Sequence, residues 1–310
     1  MKIAEVRFLE EREQLSLPGW TNILTKKLRE KYILSKKPYT IYEKDDTLFG
    51  VLSTVPGQGL PTPWRGKAEA LIKTLAAEGA GIIVGPHEGE FPQKILPVAN
   101  GRILAALFAF DGAAEALRRQ GKNPEEAHYV ISGTDPQVLP LVLAGMGDYV
   151  NHLSFFADNT GELEEIQEEL FAEKGLLTEV FSSPKNPLFS EGDGIIVCGM
   201  EQTGYEHILK RYAVFIDAAG NRPTLRRLSQ RRWDVVAAEG FYFILDGKQL
   251  EGRRAEAEAF INCMSFQNFW LDHFPKMQAE EIYFDLKEKG FCVSGFSTLG
   301  KRVKIPKNQG

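Results

Sequence analysis

The sequence is short of the features that usually place a chain at sight. Its three cysteines, Cys198, Cys263 and Cys292, are an odd number spread far apart, with no C-x-x-C pair. That excludes a disulfide framework and a thiolate metal site, and it reads as reduced, mostly buried thiols. Long hydrophobic runs are missing too. The most apolar one, from Ile103 to Phe110, falls far short of the roughly 20 residues that cross a bilayer. The first residues, MKIAEVRFLEER, meet acids and an arginine at once and cannot form the apolar core of a signal peptide. A cytoplasmic protein with no membrane partner is expected. Positive charge is not in excess: 37 Lys and Arg stand against 42 Asp and Glu, for a net charge of −5. No nucleic-acid footprint follows from that balance. The one basic cluster, Arg226, Arg227, Arg231 and Arg232, reads as a solvated helix face. There is no internal repeat and no low-complexity tract. A G-x-S-x-G elbow and a Cys/His arrangement are both absent, which sets a hydrolase aside.

What is present is an ordinary globular composition, 43% hydrophobic and 25% charged, on a chain long enough for two domains. The first 124 residues alternate strands and helices as a small α/β domain of their own. Strands are expected at 2–9, 39–42, 47–53 and 81–84, with the polar turn EKDD joining the second and third. Helices are expected at 20–32 and 66–77, with cap chemistry from Ser16, Pro18 and Thr21 before the first. The loop GPHEGEFPQK, residues 85–94, follows a buried strand at a place where α/β proteins put ligands. Its His87, Glu88 and Glu90 do not have a metal-site spacing, and the loop reads as solvated; no metal is expected. A long helix at 102–120 ends at Gly121, and Pro124 blocks its continuation.

From residue 125 to 247 the alternation becomes regular. Six short apolar strands, at 129–132, 152–157, 176–181, 194–198, 213–216 and 234–237, are separated by helices at 137–144, 162–173, 205–210 and 223–231. Continuous apolar strands with crossovers between them indicate an α/β fold with a doubly wound, Rossmann-like parallel sheet. Residues 248–310 are expected to be helices, at 251–274 and 279–289, packing back across the side between the domains. A further strand is possible near 291–293.

A dinucleotide site needs glycine where the backbone nears the diphosphate, and free N–H groups at a helix start. The turn here is Ser132-Gly133-Thr134-Asp135-Pro136. Gly133 fits the first glycine of G-x-G-x-x-G, but Asp135 and Val138 stand at the second and third. Asp135-Pro136 is itself a good helix start, and its carboxylate would occupy the positive end of the helix. Asp158, at the end of the second strand with Asn159 after it, is placed to accept ribose hydroxyls and would favour NAD over NADP. The same pair also serves as a capped turn.

In layout the chain resembles the shikimate dehydrogenase family. QLSLPGWTN at 14–22 is similar to that family's substrate-carboxylate loop, and FPQK at 91–94 to its P-x-K element. FAFDGAAEAL from Phe108 resembles its N-T-D-G segment. FIDAAGNRPTLRRLSQRRWDVVAAEG from Phe215 is similar to its strand–loop–helix–strand, and GFYFILDGKQLEG from Gly240 to its loop ending in a substrate-side glutamine. The resemblance implies Lys94 and Asp111 as a proton-relaying pair, with Ser16, Asn22 and Gln249 facing substrate. Gly133, Thr134, Asp158 and Asn159 would hold NAD. The chain departs from the family where His87-Glu88-Gly89-Glu90 replaces N-V-T, and at the second and third glycines. Two functions are therefore open. One is an NAD(P)-dependent oxidoreductase acting on a small polar or anionic metabolite between the domains. The other is a non-catalytic scaffold, a small-molecule sensor or assembly partner, that no longer binds a dinucleotide. The oligomeric state is open in both.

Overall fold

A computed structural model of the protein describes residues 1–8, 19–25, 28, 32, 39–52, 62–85, 95–157, 161–183, 186–199, 205–220, 222–271 and 276–306. It divides into two compact units, Met1–Asn100 with Glu256–Leu271, and Gly101–Ala255 with Asp272–Gly310.

The first unit is built on a five-stranded sheet in the order β2-β3-β1-β4-β5, from β1 (Lys2–Phe8), β2 (Tyr39–Lys44), β3 (Thr47–Leu52), β4 (Ala80–Val84) and β5 (Val98–Ala99). Only β2 runs antiparallel to its neighbour. Asp45 and Asp46 close the β2–β3 hairpin with φ of 49° and 57°, the two-residue turn whose twist matches that of the strands. Helix α1 (Thr62–Ala77) buries Leu71, Ile72 and Leu75 against Ala4, Val6, Leu48, Leu52 and Ile83.

The second unit begins with α2 (Arg102–Leu107) and α3 (Ala109–Arg119). They replace the single helix expected at 102–120. Phe108 interrupts it at φ −104°, ψ 18°, its ring wedged against Phe243 and Tyr283 at 5.2 and 5.4 Å. The strands β6 (His128–Ser132), β7 (His152–Phe156), β8 (Thr178–Phe181), β9 (Gly194–Val197), β10 (Val214–Asp217) and β11 (Val236–Ala238) form one sheet in the order β11-β10-β9-β6-β7-β8. Every adjacent pair is parallel. Counted along this sheet, the order is the doubly wound 3-2-1-4-5-6 that reverses between β6 and β9. Helices α4 (Leu139–Ala144), α5 (Glu164–Lys174), α6 (Pro187–Glu191) and α7 (Arg222–Arg231) fill the crossovers. One face of the sheet packs Val130, Ile195, Val197 and Phe215 against Phe189 of α6 and Leu225 and Leu228 of α7.

Two expectations differ from the structure. The boundary at 124 falls inside the second unit, because α3 packs on β9 and β10 of the six-stranded sheet. The stretch after 240, read as a loop and then helices, opens instead on a four-stranded antiparallel sheet in the order β13-β12-β14-β15. Its strands are β12 (Gly240–Leu245), β13 (Lys248–Glu251), β14 (Cys292–Thr298) and β15 (Lys301–Arg302). Phe241 and Phe243 are buried while Tyr242 and Ile244 point away, the period-2 pattern of a half-buried strand. Asp246-Gly247 and Leu299-Gly300 turn the two hairpins, all four with positive φ. The later helices are α8 (Gly252–Asn262), α9 (Met264–Leu271) and α10 (Lys276–Glu288). Among the described residues no helix is long and apolar enough to cross a membrane.

Candidate functional site

In an open α/β sheet the ligand crevice lies beyond the carboxyl ends of the strands, where the strand order reverses. Here that point is the pair of strand ends Ser132-Gly133 on β6 and Val197-Cys198-Gly199 on β9. Gly133 adopts φ +85°, and a Cβ there would lie 2.8 Å from the Cα of Gly199. The two backbones therefore touch, which only glycine permits. The ladder also continues past the strands. The Cys198 N–H donates to the Ser132 carbonyl at 2.6 Å, and the Asp135 N–H donates to the Cys198 carbonyl at 3.0 Å.

Asp135 then caps the turn that leads into α4. Its carboxylate accepts the Gln137 N–H at 2.8 Å, and its carbonyl accepts the N–H groups of Val138 and Leu139. The donors a diphosphate would require are thus engaged, and a negative charge stands where the anion would sit. Helix α4 has only six residues, so few aligned dipoles lie behind it. This turn does not fit a dinucleotide diphosphate.

The same edge of the sheet carries polar groups that the sequence reading missed. Ser132 is fully buried, and its hydroxyl has no hydrogen-bond partner among the described residues. Asp217, at the end of β10, is 2% exposed and accepts the Gly220 N–H at 2.7 Å. Ser132 and Asp217 are both in register with Val197 and share one face of the sheet. Two strand spacings separate them, about 10 Å. Arg102 extends over the loop after β10, where a Cβ on Gly220 would lie 3.1 Å from its guanidinium. An acid ending an apolar strand, FID, is the signal by which Asp217 could have been found; it is the signal that picked out Asp158. A hydroxyl, a carboxylate and a guanidinium at one sheet edge can hydrogen-bond a small polar molecule. None of them forms a nucleophile–base pair.

The other sequence candidates are dispersed. Gly133 and Thr134 meet at the sheet edge. Asp111 lies in the first turn of α3, where its carboxylate accepts hydrogen bonds from Tyr283 at 3.0 Å and Lys287 at 2.9 Å. Burial pushes the Tyr283 phenol above its ordinary pKa, and the neighbouring Asp111 adds to the shift. Gln249 is in β13, its amide donating to Ser294 at 3.3 Å. Asn22 is in a short 3-10 turn, Gly19–Ile23. Ser16, Lys94, Asp158 and Asn159 lie outside the described residues, as do His87, Glu88 and Glu90. Among the described residues no cluster of His, Cys, Asp and Glu could hold a metal ion.

No family model matches the chain, and no curated protein matches it. Among solved structures it is similar to L-tryptophan dehydrogenase from Nostoc punctiforme, at 13% identity over 93% of this chain and 84% of that one, with a TM-score of 0.34. It is similar to a shikimate dehydrogenase in complex with NADP+, at 11% identity over 92% and 95%, TM-score 0.36. It is also similar to aspartate transcarbamoylase from Trypanosoma cruzi in complex with carbamoyl aspartate and phosphate, at 10% identity over 76% and 77%, TM-score 0.36. The class is set by the strand order itself: a two-unit α/β protein with a Rossmann-like sheet.

Proposed function

We propose that the second unit binds a small polar molecule at the carboxyl edge of its six-stranded sheet, as a Rossmann scaffold whose diphosphate seat is closed by its own Asp135. One observation carries this reading. The Asp135 N–H is spent on Cys198, and the Asp135 carboxylate takes the next free donor, that of Gln137. The buried Ser132 hydroxyl and the Asp217 carboxylate supply the polar contacts for the ligand. On this reading the chain is a sensor or binding module.

A second reading is an NAD(P)-dependent oxidoreductase acting on a small polar or anionic metabolite. It is favoured by the strand order and by Gly133 at φ +85° in the place of the first phosphate-loop glycine. Lys94 and Asp111 would then move the proton, and Asp158 and Asn159 would hold the ribose.

Thermal shift with NAD and NADP separates the two, since stabilisation grows as RT ln(1 + [L]/Kd). The first reading expects no shift in the wild type at about 100 times the micromolar affinities usual for such sites, where a bound cofactor would add about 2.7 kcal/mol. A clear wild-type shift with either cofactor overturns it. A metabolite panel then tests the binding role itself. A hit whose shift survives both Ser132→Ala and Asp217→Asn is bound elsewhere, and the proposed site fails.

A further inference from the structure

At the β11 end of the six-stranded sheet, Trp233 is 81% exposed, and Ile208 is 37% exposed. The Arg232 guanidinium holds their two segments together, donating to the carbonyls of Glu206 at 2.8 Å and Leu209 at 2.9 Å. Around the indole the charge is positive. Arg227 and Arg232 are internally paired with Glu206 and Asp234, and Lys210 with Asp193. Arg211, Arg226 and Arg231 form no ion pair among the described residues and point to solvent. A tryptophan framed by arginines has the composition of an interface anchor.

The β8 end of the same sheet carries the opposite character. Helix α5 reads EEIQEELFAEK, with five glutamates against one lysine, and Leu170 is its only buried residue. Phe171, at 57% exposure, and Leu177, at 79%, stand bare beside those acids. A helix that buries one side chain gains little from its own unit. The acidic, apolar-tipped helix and the basic, indole-tipped patch are complementary in charge and in kind. They sit beside the two outermost strands, five strand spacings or about 24 Å apart, so one copy cannot bring them together.

We propose that copies of this chain associate head to tail, with α5 of one seated on the Trp233 patch of the next. The interface is heterologous: each copy offers one half at either end, so association continues beyond a dimer unless a ring closes. It rests on residues apart from the Ser132–Asp217 site and is independent of what that site binds.

Sedimentation equilibrium of the full chain tests it. At about 10 mM salt, where charges act over about 30 Å, the mass is expected to exceed 34.7 kDa and to rise with concentration. At about 1 M salt, with screening within about 3 Å, it is expected to fall back towards the monomer. Glu165→Gln with Glu168→Gln removes acid from α5, and Trp233→Ala with Arg231→Ala removes the patch. All four positions are exposed, so circular dichroism is expected to be unchanged. Each double variant alone is expected to stay at the monomer mass of 34.7 kDa, and their mixture to form a one-to-one pair through the single intact interface. A wild type that stays at 34.7 kDa at low salt overturns the proposal. So does a larger assembly that either double variant leaves intact.

Discussion

Gly145 and Gly175 both end helices, but for different reasons. Gly145 has an ordinary φ of −87°, yet a Cβ there would fall 1.7 Å from the Leu107 carbonyl oxygen. Gly175 has φ +66° and open space around it. Gly175→Ala is expected to cost about 1–2 kcal/mol, the strain of a left-handed residue. Gly145→Ala must displace backbone and is expected to cost about 3 kcal/mol or more. Urea midpoints compared at equal slope measure both, and equal losses would mean that the contact with Leu107 relaxes freely. Titration gives a second residue-scale expectation. Burial lowers the pKa of His128 from its ordinary 6.5, against the pull of Asp193. The unfolded chain therefore binds that proton more readily. The stability tied to His128 is complete above pH 6.5 and declines as the pH falls from there towards the folded pKa. Asp193 acts lower. Its burial favours protonation, but hydrogen bonds from Lys210 and Lys122 outweigh this and hold its pKa below 3.8. Its contribution is present above pH 3.8 and is lost as the pH falls through the folded value. The melting temperature is expected to slope downward from about pH 6.5 in the wild type, and His128→Gln is expected to flatten that slope while leaving the drop in stronger acid.

At the scale of elements, Asp111 joins α3 to α10 through Tyr283 and Lys287. Lys287 is 40% exposed, so its ion pair contributes little. The Tyr283 phenol is buried, and without an acceptor it would carry most of the loss. Asp111→Ala is expected to destabilise by about 1–3 kcal/mol, and Asp111→Asn, which keeps an oxygen acceptor, by less. Chemical denaturation reads the order, and an asparagine variant no better than alanine would remove the phenol from the account. The pair Asp111–Lys287 spans 176 positions, and nothing local in FAFDGAAEAL announces it. Elements with local causes were legible. The polar EKDD turn is legible between two strands because turn chemistry is contained within a few residues, and the apolar strands of the parallel sheet are legible as continuous runs because both their faces are covered. The hairpin at Asp246-Gly247 carried an equally local signal. That signal is the alternation of Phe241 and Phe243 with Tyr242 and Ile244, ending in an Asp-Gly turn.

For the whole molecule, the doubly wound order follows from repeated strand–helix alternation, since consecutive parallel strands need crossovers and those crossovers have one hand. The antiparallel sheet has no such shortcut. β12 pairs with β14 across some fifty residues, and only the aromatic cluster of Phe241, Phe243, Phe291 and Phe296 reveals the partnership. The candidate site was half legible for a related reason. Gly133 could be picked out by its turn, but Ser132 and Asp217 become neighbours only through Val197 on the strand between them. This long-range pairing has a consequence for the chain as a whole. Ending the polypeptide at residue 247 would keep all six parallel strands but remove β13, β14, β15 and the helices α8, α9 and α10. Phe241 and Phe243, together with Phe108 packed on Phe243, would lose the partners that exclude water from them. Each such aromatic contributes roughly 1.5–3 kcal/mol by burial, against a total stability of about 5–15 kcal/mol for a typical domain. The shortened chain is therefore expected to keep helical far-ultraviolet dichroism, to lose its aromatic near-ultraviolet signal and cooperative melt, and to bind a hydrophobic dye. A sharp melt with native near-ultraviolet dichroism would show that the six-stranded sheet is sufficient by itself and that the antiparallel sheet is an accessory to it.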